Sequence, residues 1–373
     1  MSESRIPILH VIPSLAGGAG RGAIELLRRL LQDRRFQTRL CVLGANSQEI
    51  KLTEDDPVEF LNAPVHQRQR LIPRLFRLRQ MIASWKPQLI HSHLWPAATT
   101  VSIVAPRSIP HLIHIRDTPA WFQSDRWGPT LRRMLCRRLF ACPHVSLVAV
   151  SNVAADYAAT ELRLNPERIQ TVVNGVELDR FLQLSEVSSD RPSDRFVIAS
   201  VGRLISDKGF DQVLHAVQQL STPRDQVQLR IAGTGSAEGK LRELATSLGI
   251  AAQVEFAGQV TDMPSFLQSS HLFVHSSVSE GMSRSIIEAM AAARAVVATA
   301  HAGVQDLVIP NETGVVVPAG SPAVLAQAID QLLFDRPRLA DMGRAGRARA
   351  RSHFSAERVA QEIGEIYMKT LYR

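Results

Sequence analysis

Short runs rich in β-branched residues alternate with longer helical patterns along almost the whole chain, and that alternation leaves few folds open. It is the pattern of βαβ units, in which parallel strands buried on both faces are joined by crossover helices. In the first half the strands read as Ile6–Ile12, Thr38–Leu43, Leu89–Ser92, His111–Ile115, Ser146–Val150 and Ile169–Val173. In the second half they read as Phe196–Val201, Val227–Ala232, Val254–Phe256, Leu272–His275, Ala295–Ala298 and Gly314–Val317. A polar stretch from Gln183 to Asp194, with Ser185, Ser188, Ser189 and Pro192, reads as the linker and puts the boundary near residue 185.

At 373 residues the chain exceeds one ordinary core and suits two domains of roughly 100–200 residues each. The expected division is 1–185, 186–355 and a last helix, 356–373, whose sequence does not say which domain it packs on. With 45% hydrophobic and 21% charged residues the composition is that of a globular protein. No apolar stretch reaches the ~18 residues that span a bilayer, because Ala289 to Val304 is broken by Arg294 and His301. The start, Met1 to Arg5 leading into Ile6–Ile12, lacks the build of a signal peptide and reads as a first strand of a cytoplasmic protein. Cys41, Cys136 and Cys142 show no spacing of a zinc site or disulfide framework and read as packing residues.

Charge is uneven. The net +8 sits in residues 1–182, which hold 24 Lys/Arg against 15 Asp/Glu, whereas 183–373 hold 19 against 20. No acidic residue occurs from Leu61 through Arg116 or from Arg126 through Ala155, and a surface of one sign attracts anionic partners.

Three stretches carry chemistry. Leu15-Ala-Gly-Gly-Ala-Gly-Arg-Gly22 follows the first strand and precedes an amphipathic run, so Gly17 and Gly18 can let backbone amides approach an anion, or serve only a tight turn. These glycines do not spell G-x-G-x-x-G, which counts against a dinucleotide-dependent hydride transfer enzyme. The strand Phe196–Val201 ends in Gly202-Arg203, followed by Lys208-Gly209 at a helix start, and a planar fork with a mobile point charge suits a diphosphate. In Val274-His-Ser-Ser-Val-Ser-Glu280-Gly-Met-Ser-Arg-Ser-Ile-Ile-Glu288, one continuous helix would set the two glutamates about 80° apart, but Gly281 and the serines favour a break. Glu280 then lies in a turn and Glu288 inside a helix, with amides of Gly281, Met282, Ser283 and Arg284 facing an anion and a carboxylate suited to bridging ribose hydroxyls.

Gly202-Arg203…Lys208-Gly209, Glu280-x7-Glu288 and Thr313-Gly314 resemble the retaining GT-B glycosyltransferases of family 4, also called glycosyl transferases group 1. The glycine loop, Ser151-Asn152 and Asn174-Gly175-Val176…Asp179-Arg-Phe181 fit the same family in the same order, so the likeness covers nearly the whole chain. The resemblance implies two Rossmann-like domains facing each other across a cleft and transfer of a sugar, hexosyl or heptosyl, from a nucleoside-diphosphate donor. It implies that Arg203 and Lys208 hold the donor diphosphate, Glu288 the ribose, and Glu280 with the turn amides of Gly281, Met282 and Ser283 the transferred sugar. Gly17 and Gly18 would close on the phosphates from the other domain, and Glu280, Arg203 and Lys208 would form the catalytic set without a metal or cofactor. Many relatives carry a histidine where this chain has Arg116, with His114 two residues earlier, so these two are the candidate sugar contacts. Ala293 and Ala295 stand at the family's usual Gly and Pro, and Asp306, beside Gly303, at a frequent glutamate. His91 and His93 flank Ser92 at a strand end and read as satisfied structural histidines.

Leu71, Leu75, Leu78, Ile82 and Trp85 form one apolar helical face with Arg70, Arg74 and Arg77 off it, a pattern of a membrane-surface helix or of a helix packed on a sheet. Trp121, Phe122, Trp127, Leu131, Leu135 and Phe140, interleaved with Arg126, Arg132, Arg133, Arg137 and Arg138, make a second basic-aromatic element. Together they point to peripheral docking on an anionic inner leaflet and to a lipid-anchored glycan acceptor, such as lipopolysaccharide core. A nucleotide-sugar epimerase of the same fold is the rival enzyme; a non-catalytic anion or nucleic-acid binder is weaker, since no RNA-binding signature accompanies the basic half.

Overall fold

The computed structural model describes residues 5–44, 50, 52–61, 71–116, 129–187, 195–278 and 280–372. Arg70, Asp117, Trp121, Phe122, Arg126 and Trp127 and the 188–194 part of the expected linker lie outside these residues, as do the side chains of Leu71 and Arg132. Two compact units emerge, one made of 1–175 with 356–373 and the other of 176–355.

The first unit holds a parallel sheet of order β3-β2-β1-β4-β5-β6-β7. Its strands are β1 (Ile6–Ile12), β2 (Phe36–Val42), β3 (Val58–Phe60), β4 (Leu89–His93), β5 (His111–Ile115), β6 (Val145–Ala149) and β7 (Ile169–Thr171). Helices α1 (Gly17–Gln32), α2 (Leu71–Trp85), α3 (Leu94–Val104), α4 (Pro129–Phe140) and α5 (Asn152–Thr160) fall between them. β4 and β5 are buried at every position, which is why they read as unbroken runs rather than alternating ones. Because β1 lies between β2 and β4, the strand order reverses there, and such a switch point is where open α/β sheets bind ligands at the carboxyl ends of their strands.

The second unit repeats the plan with order β10-β9-β8-β11-β12-β13. Its strands are β8 (Phe196–Val201), β9 (Val227–Ala232), β10 (Val254–Gly258), β11 (Leu272–His275), β12 (Ala295–Thr299) and β13 (Gly314–Val317). Its helices are α6 (Asp179–Leu182), α7 (Phe210–Gln218), α8 (Glu238–Ser247), α9 (Met263–Gln268), α10 (Arg284–Ala291), α11 (Ala302–Gln305), α12 (Pro322–Phe334) and α13 (Arg336–His353). One continuous core joins Phe196, Ile198, Leu229 and Ile231 of the sheet to Val213, Leu214, Ile329 and Leu332 of the helices. The reversal here falls between β8 and β11.

The chain passes between units at Gly175/Val176, ahead of the expected boundary near residue 185. The reason is packing: Arg347 donates to the Leu184 carbonyl at 2.7 Å, Arg294 to that of Ser185 at 2.6 Å, and Val187 joins the second core. The segment expected to be linker is thus fastened to the second unit. Val176 donates its amide to the Phe354 carbonyl at 2.9 Å, so the outgoing and returning strands run side by side.

The last helix, α14 (Ala356–Leu371), packs on the first unit. Val359, Ala360, Ile363, Ile366 and Tyr367 sit against Ile8, Leu26, Leu30, Phe36, Leu89 and Leu112, and Arg29 pairs with Glu357 at 2.5 Å.

α2 keeps the expected apolar face but adds Arg74 to it. Arg74 is buried, together with Leu78, Met81 and Ile82, while Ile72 and Phe76 are 79% and 59% exposed. Leu75 and Trp85 are half-buried beside this buried stripe, so the face expected from Leu75, Leu78, Ile82 and Trp85 packs inward, and Arg74, expected off it, turns in with it. Arg77 donates to the Leu61 carbonyl at 2.9 Å, which ties the helix to the chain leaving the sheet edge.

Candidate active site

The loops beyond the carboxyl ends of β8 and β11 meet in the second unit. After β8, Gly202-Arg203 leads through a short 3-10 turn, Ser206–Lys208, to Gly209, which takes a left-handed φ of 62° and opens α7. A Cβ on Gly209 would come within 2.2 Å of the Ser276 carbonyl oxygen, so only glycine lets the two loops approach this closely. Three bonds then fasten them: Ser276 Oγ donates to the Lys208 carbonyl at 2.9 Å, Ser277 Oγ to that of Asp207 at 3.2 Å, and the Val278 amide to Asp207 at 2.9 Å. Gly303 closes the other side, where a Cβ would lie 2.5 Å from the Glu280 carbonyl oxygen.

This scaffold holds an ion pair between Lys208 Nζ and Glu280 Oε1, with side chains only 18% and 14% exposed. His275 Nε2 lies 3.4 Å from the same oxygen. Burial opposes ionisation of Glu280, but His275 and Lys208 more than offset it and hold the carboxyl well below the usual range. The His301 ring lies 5.6 Å from that of His275, and burial, reinforced by His275, lowers it to about 4.

Beyond Glu280, Gly281, Met282 and Ser283 are buried and run into α10. Ser283 occupies its N-cap but makes no cap hydrogen bond, its hydroxyl pairing instead with that of Ser285 at 3.1 Å. The Ser283 side chain thus leaves the start of α10 to its own dipole, whose positive end favours anions. Glu288 is buried inside α10, and Arg203 stands exposed on the β8 loop without an ion pair among the described residues. The structure joins Lys208 and Glu280 directly, and carries Arg203 and Glu288 on neighbouring elements of one switch point. His275 and His301 were not foreseen: His275 stands within the glutamate run, but nothing local marks it as a partner of Glu280.

In the first unit the glycine segment is not a loop. α1 is counted from Gly17, but Gly17 takes a left-handed φ of 68° and so makes the tight turn out of β1, while Gly20 packs against the Leu15 carbonyl and lets the helix follow at once. The alanine at the N-cap, Ala16, has no side-chain acceptor to offer this first turn.

Arg116 follows β5, half-buried, and donates from Nε to His93 Nδ1 at 3.2 Å. His114 does not reach a surface. It is buried in a layer of imidazoles with His10, His91 and His93, stacked on His91 at 5.3 Å, which corrects the expectation that it contacts a sugar. Register explains the layer: His10 pairs with His91 across β1 and β4, and His93 with His114 across β4 and β5, so all four rings share one face of the sheet. His91 and His93 are buried as expected, although His91 Nε2 has no hydrogen-bond partner among the described residues.

Residues 16–180 match the model of Glycosyltransferase Family 4 and residues 184–349 that of Glycosyl transferases group 1. The lipopolysaccharide core biosynthesis glycosyltransferase LpsE of Rhizobium meliloti (strain 1021) is 34% identical over 47% of this chain and 51% of its own length, so the match spans about half of that relative. The putative glycosyltransferase EpsD of Bacillus subtilis (strain 168) is 25% identical over 78% of this chain and 79% of its own. Among solved structures, Anabaena HepE in complex with UDP and glucose superposes with a TM-score of 0.83 at 22% identity, covering 98% of this chain and 100% of that one. That last likeness is one of fold.

Proposed function

Because the chain belongs to the GT-B glycosyltransferases, its two halves matching Glycosyltransferase Family 4 and Glycosyl transferases group 1, we propose that it moves a sugar from a nucleoside-diphosphate donor to a hydroxyl of an envelope glycan with retention. The Lys208–Glu280 pair beside the start of α10 carries this reading. Lys208 and Arg203 take the diphosphate oxygens, Glu288 the ribose hydroxyls, and Glu280 with the Gly281–Ser283 amides the hydroxyls of the sugar. Gly17 and Gly18 offer further amides to an anion at the start of α1. The complex of HepE with UDP and glucose supports a nucleotide-sugar donor.

Chemically, the anomeric C–O bond to phosphate breaks while the acceptor oxygen bonds to the same carbon from the same face. The acceptor proton passes to the departing phosphate oxygen. Charge gathering on that phosphate is met by fixed cations and amides, which stabilise the transition state more than the ground state without a metal ion.

The acceptor reading rests on the likeness to LpsE and on the first unit's surface. Leu131, Met134 and Leu135 on α4 are exposed apolar residues beside exposed Arg137 and Arg138, and α2 adds Ile72, Phe76 and Arg79. Such a surface suits an anionic leaflet carrying a lipid-linked, phosphorylated glycan. No helix among the described residues is long and apolar enough to cross a membrane.

Incubation with α-linked nucleoside-diphosphate sugars, followed by 1H NMR of the new anomeric centre, tests the reaction. An α product fits retention; a β product formed first would refute it.

A further inference from the structure

The buried imidazoles of the first unit are joined end to end. Arg116 Nε meets His93 Nδ1 at 3.2 Å, and His93 Nε2 meets His10 Nδ1 at 3.1 Å. His10 Nε2 lies 3.4 Å from the Tyr367 hydroxyl, which lies 2.6 Å from His91 Nδ1. A neutral imidazole has one donor and one acceptor, a hydroxyl has both, and a guanidinium can only donate. Burial keeps these rings neutral, lowering His10 to about 3 and His91 and His93 well below the ordinary histidine value, and holds the Tyr367 hydroxyl protonated.

One end of the chain therefore fixes every proton in it. Arg116 donates to His93 Nδ1, so the His93 proton sits on Nε2 and is given to His10 Nδ1. The His10 proton then sits on Nε2 and is given to Tyr367, whose own proton goes to His91 Nδ1. His91 is left with its proton on Nε2, the atom without a partner among the described residues.

The same logic disposes of a metal site. His10, His91 and His93 each present a ring nitrogen within 4.8 Å of the others. A cation bound through His93 Nε2 would move that ring's proton to Nδ1, against the Arg116 N–H, and would add charge beside a guanidinium.

We infer that Tyr367, on the C-terminal helix, is a positioning residue for Arg116, acting through a hydrogen-bonded chain of fixed direction that runs by way of His10 and His93. The chain anchors the Arg116 Nε to the sheet, so that the rest of the guanidinium keeps one orientation at the end of β5. This rests on the reading of Arg116 as a contact for the donor sugar. It also gives α14, which carries no residue of the donor-binding set, a part in the site: the Tyr367 ring packs edge-on against Phe36 at 5.5 Å, so the hydroxyl is delivered by a packed side chain.

The test uses the full chain labelled with 15N-histidine and long-range 1H–15N correlation at pH 7.5. In wild type His93, His10 and His91 should each show the Nε2–H tautomer alone. In Arg116→Ala the obligate donor is gone and the chain can run either way, so His91, which does not touch Arg116, should become a mixture of tautomers. A wild-type His93 or His91 protonated on Nδ1, or a His91 unchanged by Arg116→Ala, overturns the chain.

Calorimetry with UDP and UDP-glucose as probes tests positioning. Tyr367→Phe removes one oxygen and keeps the ring, and should cut the preference for UDP-glucose over UDP about threefold or more, with the double variant no worse than Arg116→Ala alone. Additive losses, or a preference untouched in Tyr367→Phe, overturn the positioning role. If neither probe binds wild type, a uridine donor is rejected, the same comparison is made with GDP and ADP and their sugar conjugates, and the tautomers still decide the chain.

Discussion

Lys208 and Glu280, 72 residues apart, form an ion pair across the carboxyl ends of β8 and β11. Both are largely buried, so the pair holds a cation and a carboxylate charged in a place where either alone would be costly. Among the described residues, removing Lys208 leaves Glu280 with His275. Lys208→Ala should raise the Glu280 carboxyl toward the normal range and cost about 2 kcal/mol of stability, below the usual 3–5 for a fully buried pair because these side chains keep some exposure. Urea unfolding of Lys208→Ala checks this, and the double variant with Glu280→Gln should recover part of the loss; a double variant as unstable as the sum of the singles would count against it.

Acid should destabilise the protein well before its carboxylates titrate. Burial lowers His111, bonded to Ser92 Oγ at 2.7 Å, to about 3, and His301 to about 4. A histidine whose folded value is depressed binds its proton more readily when unfolded, so its contribution is complete above about 6.5 and is lost as pH falls toward the folded value. Unfolding free energy should therefore fall from pH 7 to pH 4.5. His301→Gln should flatten that slope, and an unchanged slope would reject the assignment.

The C-terminal helix should be needed for the first unit to fold. Ile363 is fully buried against the sheet, and Ile363→Ala should cost about 2–4 kcal/mol, read as a lower urea midpoint. A surface substitution on the same helix, Glu365→Ala, should change little.

Docking on anionic vesicles should follow α4 rather than the buried part of α2. Met134→Glu with Leu135→Glu should lower cosedimentation with phosphatidylglycerol vesicles about fivefold or more, since both side chains are exposed, at 64% and 45%, beside Arg137 and Arg138. Arg74→Gln should instead act on stability, because Arg74 is buried. Binding unaffected by the α4 pair would remove the membrane from the account.

Much of this was legible in sequence, for physical reasons. Ile6–Ile12, His111–Ile115, Phe196–Val201 and Leu272–His275 read as strands because parallel strands covered on both faces are continuous apolar runs. β3 escaped notice because three residues, Val58–Phe60, carry no period. The Glu280 and Glu288 stretch announced itself through serines and a glycine between a strand and a helix, but that Glu280 would pair with Lys208 depends on two loops brought together by Gly209. On α2 the inward face of Leu78 and Ile82 was legible, but that Arg74 turns in beside it is decided only by packing. Nothing local could link Tyr367 to His91, which lie 276 residues apart and meet only because α14 returns to the first sheet.

The central claim is that the second unit binds a nucleoside diphosphate through Lys208 and Glu288. The direct measurement is the thermal shift of wild type, Lys208→Ala and Glu288→Ala with UDP, GDP, ADP and their sugar conjugates. One nucleoside diphosphate should stabilise wild type by about 2.7 kcal/mol at a hundredfold excess over its Kd, and should fail to stabilise either variant at that concentration. Equal stabilisation of all three proteins, or none of wild type by any nucleotide, would contradict the account.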